Sequence, residues 1–120
     1  MTGRVTGIGG LFFRATDPDG LAEWYKTHLG IENAPIWFQD SGPTLYAPFP
    51  KDSDYFPEDR AFMLNLRVEG MEDLIARLEG AGIMVERDDE WNSPEVGRFV
   101  RIHDPEGNPI ELWEPILPDM

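Results

Sequence analysis

Asp104-Pro105-Glu106-Gly107-Asn108-Pro109-Ile110-Glu111-Leu112-Trp113-Glu114-Pro115 is the stretch that decides how this chain folds. Pro105 presets the first corner of a turn, and Gly107 or Asn108 supplies the positive φ that a tight reversal needs. The turn hands the chain into a short alternating strand. Period two sends Ile110 and Leu112 to one face and Glu111 and Trp113 to the other. An apolar back with an acid and an indole in front suits the floor of a pocket.

Working outward, Arg98–His103 alternates in the same sense, with Val100 and Ile102 behind and Phe99, Arg101 and His103 in front. Ile83–Arg87 reads as a further strand. Asp73–Glu79 is a helix stopped at Gly80 or Gly82, and Ala61–Val68 is the strand that precedes it. Residues 61 to 115 thus read strand, helix, three strands.

The first half is compatible with the same order. Ile8–Ala15 is an aromatic and aliphatic strand interrupted by glycine. Asp17 is the N-cap and Pro18 the first residue of a helix on which Leu21, Trp24, Tyr25, His28 and Leu29 recur at helical spacing, with Gly30 as the stop. Pro35–Gln39 and Thr44–Phe49 form a strand pair around Asp40-Ser41-Gly42-Pro43. Lys51–Arg60 is an acidic loop carrying Tyr55 and Phe56, and it is expected to serve as a lid. Displacing the chain by 53 residues sets Leu11 on Leu64, Phe13 on Leu66, Ala15 on Val68, Leu21 on Leu74 and Tyr25 on Leu78, as an internal repeat would. Pro48 matched with Pro115 sets Thr44 opposite Glu111 and Tyr46 opposite Trp113.

Composition narrows the function. The 120 residues, 41% hydrophobic, make one domain, or two small halves sharing a core. Repeat one covers about 7–50, the acidic loop 51–60 and repeat two about 61–115. No apolar run approaches the roughly 18 residues of a membrane span, so no membrane partner is expected. The N-terminus lacks a secretory apolar region, and a cytoplasmic location is expected. The absence of cysteine excludes disulfides, thiolate nucleophiles and cysteine-based metal sites. A net charge of −13 argues against nucleic acid.

Two βαβββ units ending in Asp-Pro-Glu-Gly-Asn-Pro-Ile-Glu-Leu resemble the vicinal oxygen chelate superfamily, which includes glyoxalase I, extradiol dioxygenases and bleomycin-resistance proteins. The resemblance covers about residues 7 to 115. It is most specific at 104–112, at Ala22–Gly30 and at Leu66-Arg67-Val68. It implies an α+β fold in which two βαβββ repeats form a curved mixed sheet with a concave cleft and helices on the convex side. It also implies a homodimer, for which Trp37, Phe38, Phe56 and Trp91 offer an apolar contact surface.

The resemblance places metal ligands on the first and last strands of each unit, positions that here read Gly10, Thr44, Met63 and Glu111. Only Glu111 is a competent ligand for a hard or borderline divalent ion, so the metal site is incomplete and no cofactor is expected. A divalent metal held through Glu111 is the alternative.

Alternation assigns Phe12, Arg14, Tyr46, Met63, Asn65, Arg67, Phe99, Arg101 and Trp113 to the cleft beside Glu111. Convergent polar groups among aromatics are the usual make-up of a small-molecule site. The arginines have two readings: forks for an anionic ligand, or partners of Glu69, Glu111 and Glu114 across strands. Phe99 and Trp113 are equally compatible with core or dimer-interface positions. His103, at the cleft rim, is either a proton shuttle or specificity contact, or a strand-end histidine bonded to the turn or to water. His28 is a packing or capping residue.

The expectation is a glyoxalase/bleomycin-resistance-like protein that binds a small aromatic or anionic molecule without a complete metal site. The alternative is a metal-dependent lyase, isomerase or dioxygenase using Glu111 as ligand or general base. A regulatory module with a vestigial pocket is the third reading.

Overall fold

Leu64 and Leu66, Val100 and Ile102, and Ile110 and Leu112 each stand two residues apart, and laying these segments side by side with one face covered buries all six together. The computed structural model, which describes residues 3–32 and 36–116, realises this. Its strands are β1 (Leu64–Arg67), β2 (Glu86–Arg87), β3 (Gly97–His103) and β4 (Pro109–Pro115), in spatial order β1-β4-β3-β2. The sheet is mixed: β1 runs parallel to β4, while β3 is antiparallel to both β4 and β2. Its register aligns Leu64 with Ile110, Leu66 with Leu112, Val100 with Leu112 and Ile102 with Ile110, so the aliphatic residues share one face.

Two helices cover that face. Leu21 and Tyr25 of α1 (Pro18–Leu29) and Met71, Leu74, Ile75 and Leu78 of α2 (Met71–Gly80) join Val100, Ile102, Ile110 and Leu112 in one buried cluster. Each fully buried aliphatic side chain contributes about 1.5–3 kcal/mol, and this cluster is the main stabilising term of the fold. α1 is delimited as expected: the Gly20 amide donates to the Asp17 carboxylate (3.1 Å), Pro18 follows, and Gly30 ends the helix at φ 71°. α2 begins on Gly70 without a side-chain cap of its own; Glu114 of β4 accepts from the Met71 amide at 3.1 Å instead. That contact ties the start of the helix to the central strand.

The 104–108 turn is built around a buried carboxylate. Asp104 accepts from the amides of Glu106 (2.8 Å) and Asn108 (3.0 Å) and from Asn108 Nδ2 (2.8 Å), and Gly107 takes the positive φ of 81°. Tyr25 Oη donates to the same carboxylate at 2.7 Å. Glu106, beside it, accepts from the Thr16 and Asp17 amides at 2.6 and 2.7 Å. Two neighbouring acids of one turn thereby seat α1 on the sheet. Burial, then the Asp104 hydrogen bond, then its charge push the Tyr25 phenol above its ordinary range.

The strands expected in the first half do not form. Residues 8–15, 36–39 and 44–49 lie outside every strand, and Pro35 falls outside the described residues. A strand exists only through a partner's hydrogen bonds. The four-stranded sheet ends at β1 and β2, and among the described residues nothing pairs with these segments. Phe12 is fully exposed, and Phe38 and Tyr46 are 87% and 83% exposed. The sheet is therefore built by the second unit alone, to which the first contributes α1. The second unit differs in detail: its first strand shortens to Leu64–Arg67, and Ile83–Arg87 contracts to the two residues of β2. Among the described residues no helix is long and apolar enough to cross a membrane.

Candidate functional site

The face of the sheet opposite the helices carries Asn65, Arg67, Phe99, Arg101, His103, Glu111 and Trp113, because each alternates with a core residue. Glu111 stands on the central strand β4, where the register sets Asn65 on one side and Arg101 on the other. Although on the uncovered face, it is only 6% exposed. Asn65 Nδ2 donates to Glu111 Oε1 at 2.7 Å, and Tyr55 Oη makes a short hydrogen bond to Oε2. Both carboxylate oxygens are engaged by neutral donors.

Tyr55 comes from the 51–60 loop, which folds over this face. Its ring stacks on Phe49 (5.4 Å between centroids, 22° between planes) and meets Trp91 edge-on at 6.2 Å. Trp91 arrives on a single 3-10 turn, Asp89–Trp91, started by the Asp88 side chain accepting from the Glu90 amide. The Arg101 guanidinium lies 4.7 Å from the Trp91 ring centre and 5.0 Å from that of Tyr55, within cation–π range. Arg101 is only 8% exposed, and among the described residues its buried Nε and Nη2 have no hydrogen-bond partner. Burial, followed by the hydrogen bond to Glu111 and by its charge, pushes the Tyr55 phenol well above its ordinary range, with Arg101 opposing. Tyr55 is thus held as a protonated donor.

The remaining front-face residues separate from this cluster. Phe99 and Trp113 stack nearly parallel at 6.1 Å, and Trp113 Nε1 donates to the Val96 carbonyl at 3.0 Å. Arg67 turns to the 40–43 loop, donating to the carbonyls of Pro43 (2.6 Å) and Asp40. A Cβ at Gly42 would lie 2.8 Å from Arg67 Nε, so this guanidinium occupies the space that glycine leaves. His103, at the end of β3, faces Glu86 across 3.5 Å in a half-exposed pair. Met63 is half-buried just before β1. Phe12 and Arg14 line a different depression of about 360 Å3 with Tyr25, Arg60, Leu64 and Asn108, at the end of the sheet where α1 docks. Tyr46 projects into solvent.

Of the residues picked out in the sequence, then, Asn65, Arg101 and Glu111 meet in one cluster, with the Phe99–Trp113 stack on the same face. Phe12, Arg14 and Tyr46 stand apart from it. The residues that reading alternation could not assign are Phe49, Tyr55 and Trp91, which come from loops. In the sequence Tyr55 and Trp91 are aromatic side chains set among acids, as in Asp54-Tyr55-Phe56 and Asp88-Asp89-Glu90-Trp91, while Phe49 ends a segment read as a strand.

As a metal site the donor set is poor. Among the described residues no three His, Cys, Asp or Glu side chains come together. Asn65 presents its amide nitrogen to Glu111, and the tyrosine beside it is protonated, so Glu111 is the lone anionic oxygen donor of the cluster. What the arrangement offers chemically is a carboxylate that accepts hydrogen bonds, a guanidinium with unused donors and three aromatic surfaces.

Comparison with known proteins agrees with this geometry at the level of the fold. TnmS3, an antibiotic-binding protein from Streptomyces sp. CB03234, superposes with a TM-score of 0.61 at 22% identity, covering 95% of this chain and 99% of its own. A glyoxalase/bleomycin resistance protein from the same organism superposes with a TM-score of 0.51 at 24% identity, covering 82% of this chain and 92% of its own. No curated protein matches the sequence. The profile of the glyoxalase-like domain matches residues 10–113, nearly the whole chain. The protein belongs to the glyoxalase-like family of the vicinal oxygen chelate superfamily.

Proposed function

We propose that the chain is a binding protein that holds a small aromatic or anionic molecule against the front face of the sheet, at Glu111, Asn65 and Arg101, without a resident metal. The observation that carries this reading is Arg101, nine-tenths buried beneath aromatic rings, with two nitrogens that meet no acceptor among the described residues. Burying a guanidinium without partners costs several kcal/mol, and an arriving acceptor oxygen recovers part of it. The resemblance to an antibiotic-binding protein supports a binding role. The donor set around Glu111, with one carboxylate and neutral neighbours, favours binding over metal-assisted lyase, isomerase or dioxygenase chemistry.

The working form in this proposal is a homodimer. Ile8, Phe12, Phe38 and Tyr46 are exposed on segments whose sequence has strand character, and a second copy would supply the pairing that these segments lack among the described residues. Light scattering after gel filtration is expected to give twice the chain mass of 13.7 kDa.

Elemental analysis, followed by melting curves with nickel, zinc, cobalt, iron and manganese, tests the metal-free reading. The expected result is no stoichiometric metal and no cation-induced shift, together with quenching of tryptophan fluorescence by planar aromatic anions. Stoichiometric metal that is lost in Glu111→Gln would replace this reading with the enzyme.

A further inference from the structure

In the structure, Tyr55 occupies the Glu111 cluster in the manner of a ligand. Its ring is held by rings and a guanidinium rather than by backbone: Phe49 stacks on it, Trp91 meets its edge and Arg101 lies over it. Its hydroxyl is the single polar anchor, given to Glu111 Oε2 while Asn65 fixes Oε1. The segment that carries it is lightly tied. Among the described residues, the hydrogen bonds of 50–56 are Ser53 N to Pro50 O, Tyr55 N to the Ser53 hydroxyl, and Tyr55 Oη to Glu111. Of these only the last leaves the segment, so among the described residues the phenol is the one hydrogen bond that ties 50–56 to the sheet. Tyr55 satisfies Glu111 but, among the described residues, Arg101 Nε and Nη2 stay without an acceptor, because a phenol ring has no second oxygen to offer.

We propose that the natural occupant of this site is a planar hydroxyaromatic molecule carrying an additional acceptor oxygen, whose ring displaces Tyr55 and whose hydroxyl donates to Glu111. The inference deepens the binding role proposed above and rests on it. Phe49 and Trp91 take the incoming ring as they take the tyrosine, and the acceptor oxygen meets the unused nitrogens of Arg101. Glu111 discriminates by chemistry: with Asn65 on one oxygen, the other accepts a donor and rejects an ether or a carboxylate. Tyr55 competes with the ligand, so the affinity of the wild-type protein is reduced by the fraction of time the site is filled by its own side chain.

Tryptophan-quenching titrations with 2-naphthol and with 2-methoxynaphthalene, which has the same ring and no donor, test this on wild type, Tyr55→Ala and Tyr55→Phe, each checked for folding by its melting curve. Removing a competitor anchored by a hydrogen bond to a carboxylate is expected to tighten 2-naphthol binding by about tenfold or more in Tyr55→Ala. In Tyr55→Phe, which keeps the ring and so preserves the packing should the alanine variant unfold, the gain is expected to be severalfold. The methoxy compound is expected to bind both variants at least about tenfold more weakly than 2-naphthol. Equal 2-naphthol affinity in wild type and the folded variants overturns this inference and leaves the binding role standing. So does a methoxy compound that binds as tightly as 2-naphthol. Failure of every aromatic and anionic probe to bind any folded form overturns both.

Discussion

Tyr25→Phe isolates the hydrogen bond that seats the first helix. The phenol donates to Asp104 at 2.7 Å in a buried setting, and the ring belongs to the buried cluster and meets the rings of Phe13 and Trp24 edge-on. Phenylalanine keeps the ring and removes only the donor. A hydrogen bond to a charged acceptor contributes about 1.5–3 kcal/mol. Asp104 retains three other donors, from Glu106 and Asn108, so no bare carboxylate is left behind. The lower end applies, and the expected loss is about 1.5 kcal/mol. In urea unfolding the midpoint falls while the m-value is unchanged, since the buried surface is the same. In a thermal scan Tm falls by about 4–8 °C. The pH dependence adds an independent check. The folded phenol titrates above its ordinary value of 10.0, so the stabilisation it provides is complete below pH 10 and is lost as the pH rises above it, because the unfolded chain ionises first. Tyr55 adds a loss of the same sign, again above its ordinary value of 10.0. Tyr25→Phe is therefore expected to flatten, without abolishing, the decline of stability in alkali. A change below about 0.5 kcal/mol at neutral pH, the size of an ordinary surface substitution, would refute the argument.

Two further perturbations bear on the scaffold of the site. Gly97→Ala places a Cβ against the Glu114 carbonyl and 2.8 Å from Trp113 Nε1, at a backbone φ of 142°. The expected cost is at least about 2–3 kcal/mol by urea unfolding, against near-neutrality for Gly10→Ala, where the space is open. Glu106→Ala removes the carboxylate that accepts from the Thr16 and Asp17 amides ahead of α1, and is expected to cost about 1 kcal/mol, with hydrogen exchange accelerated at those two amides first.

The second half of the chain was legible because each of its elements carries its own local signal. Strand alternation, Gly107 in the turn and the helical period of α2 all state their conformation within a few residues. Alternation also assigned Asn65, Arg101 and Glu111 to one face, since a residue between two core residues has nowhere else to point. The first half carries equally good strand patterns at 8–15 and 44–49, yet a pattern names a face and never a partner, and no described segment provides one. Tyr55 and Trp91 escaped for a different reason. Loops have no period, and the contact between Tyr55 and Glu111 spans 56 residues of sequence. Alternation places Arg67 on the inner face as an anion fork or the partner of a cross-strand glutamate, but it cannot say where so long a side chain ends: it turns to the 40–43 loop, where two carbonyls and the space above Gly42 receive it.

The turn at 104–108 is also a mechanical joint. Its two acids clasp α1 at both ends of the entry, one at residues 16 and 17 and the other at Tyr25, a full two turns along the helix. One more or one fewer residue in that turn would leave β3 and β4 intact while throwing both grips out of reach together. Length, more than chemistry, is what this loop cannot surrender, and a chain that lost it would keep its sheet and set its first helix adrift.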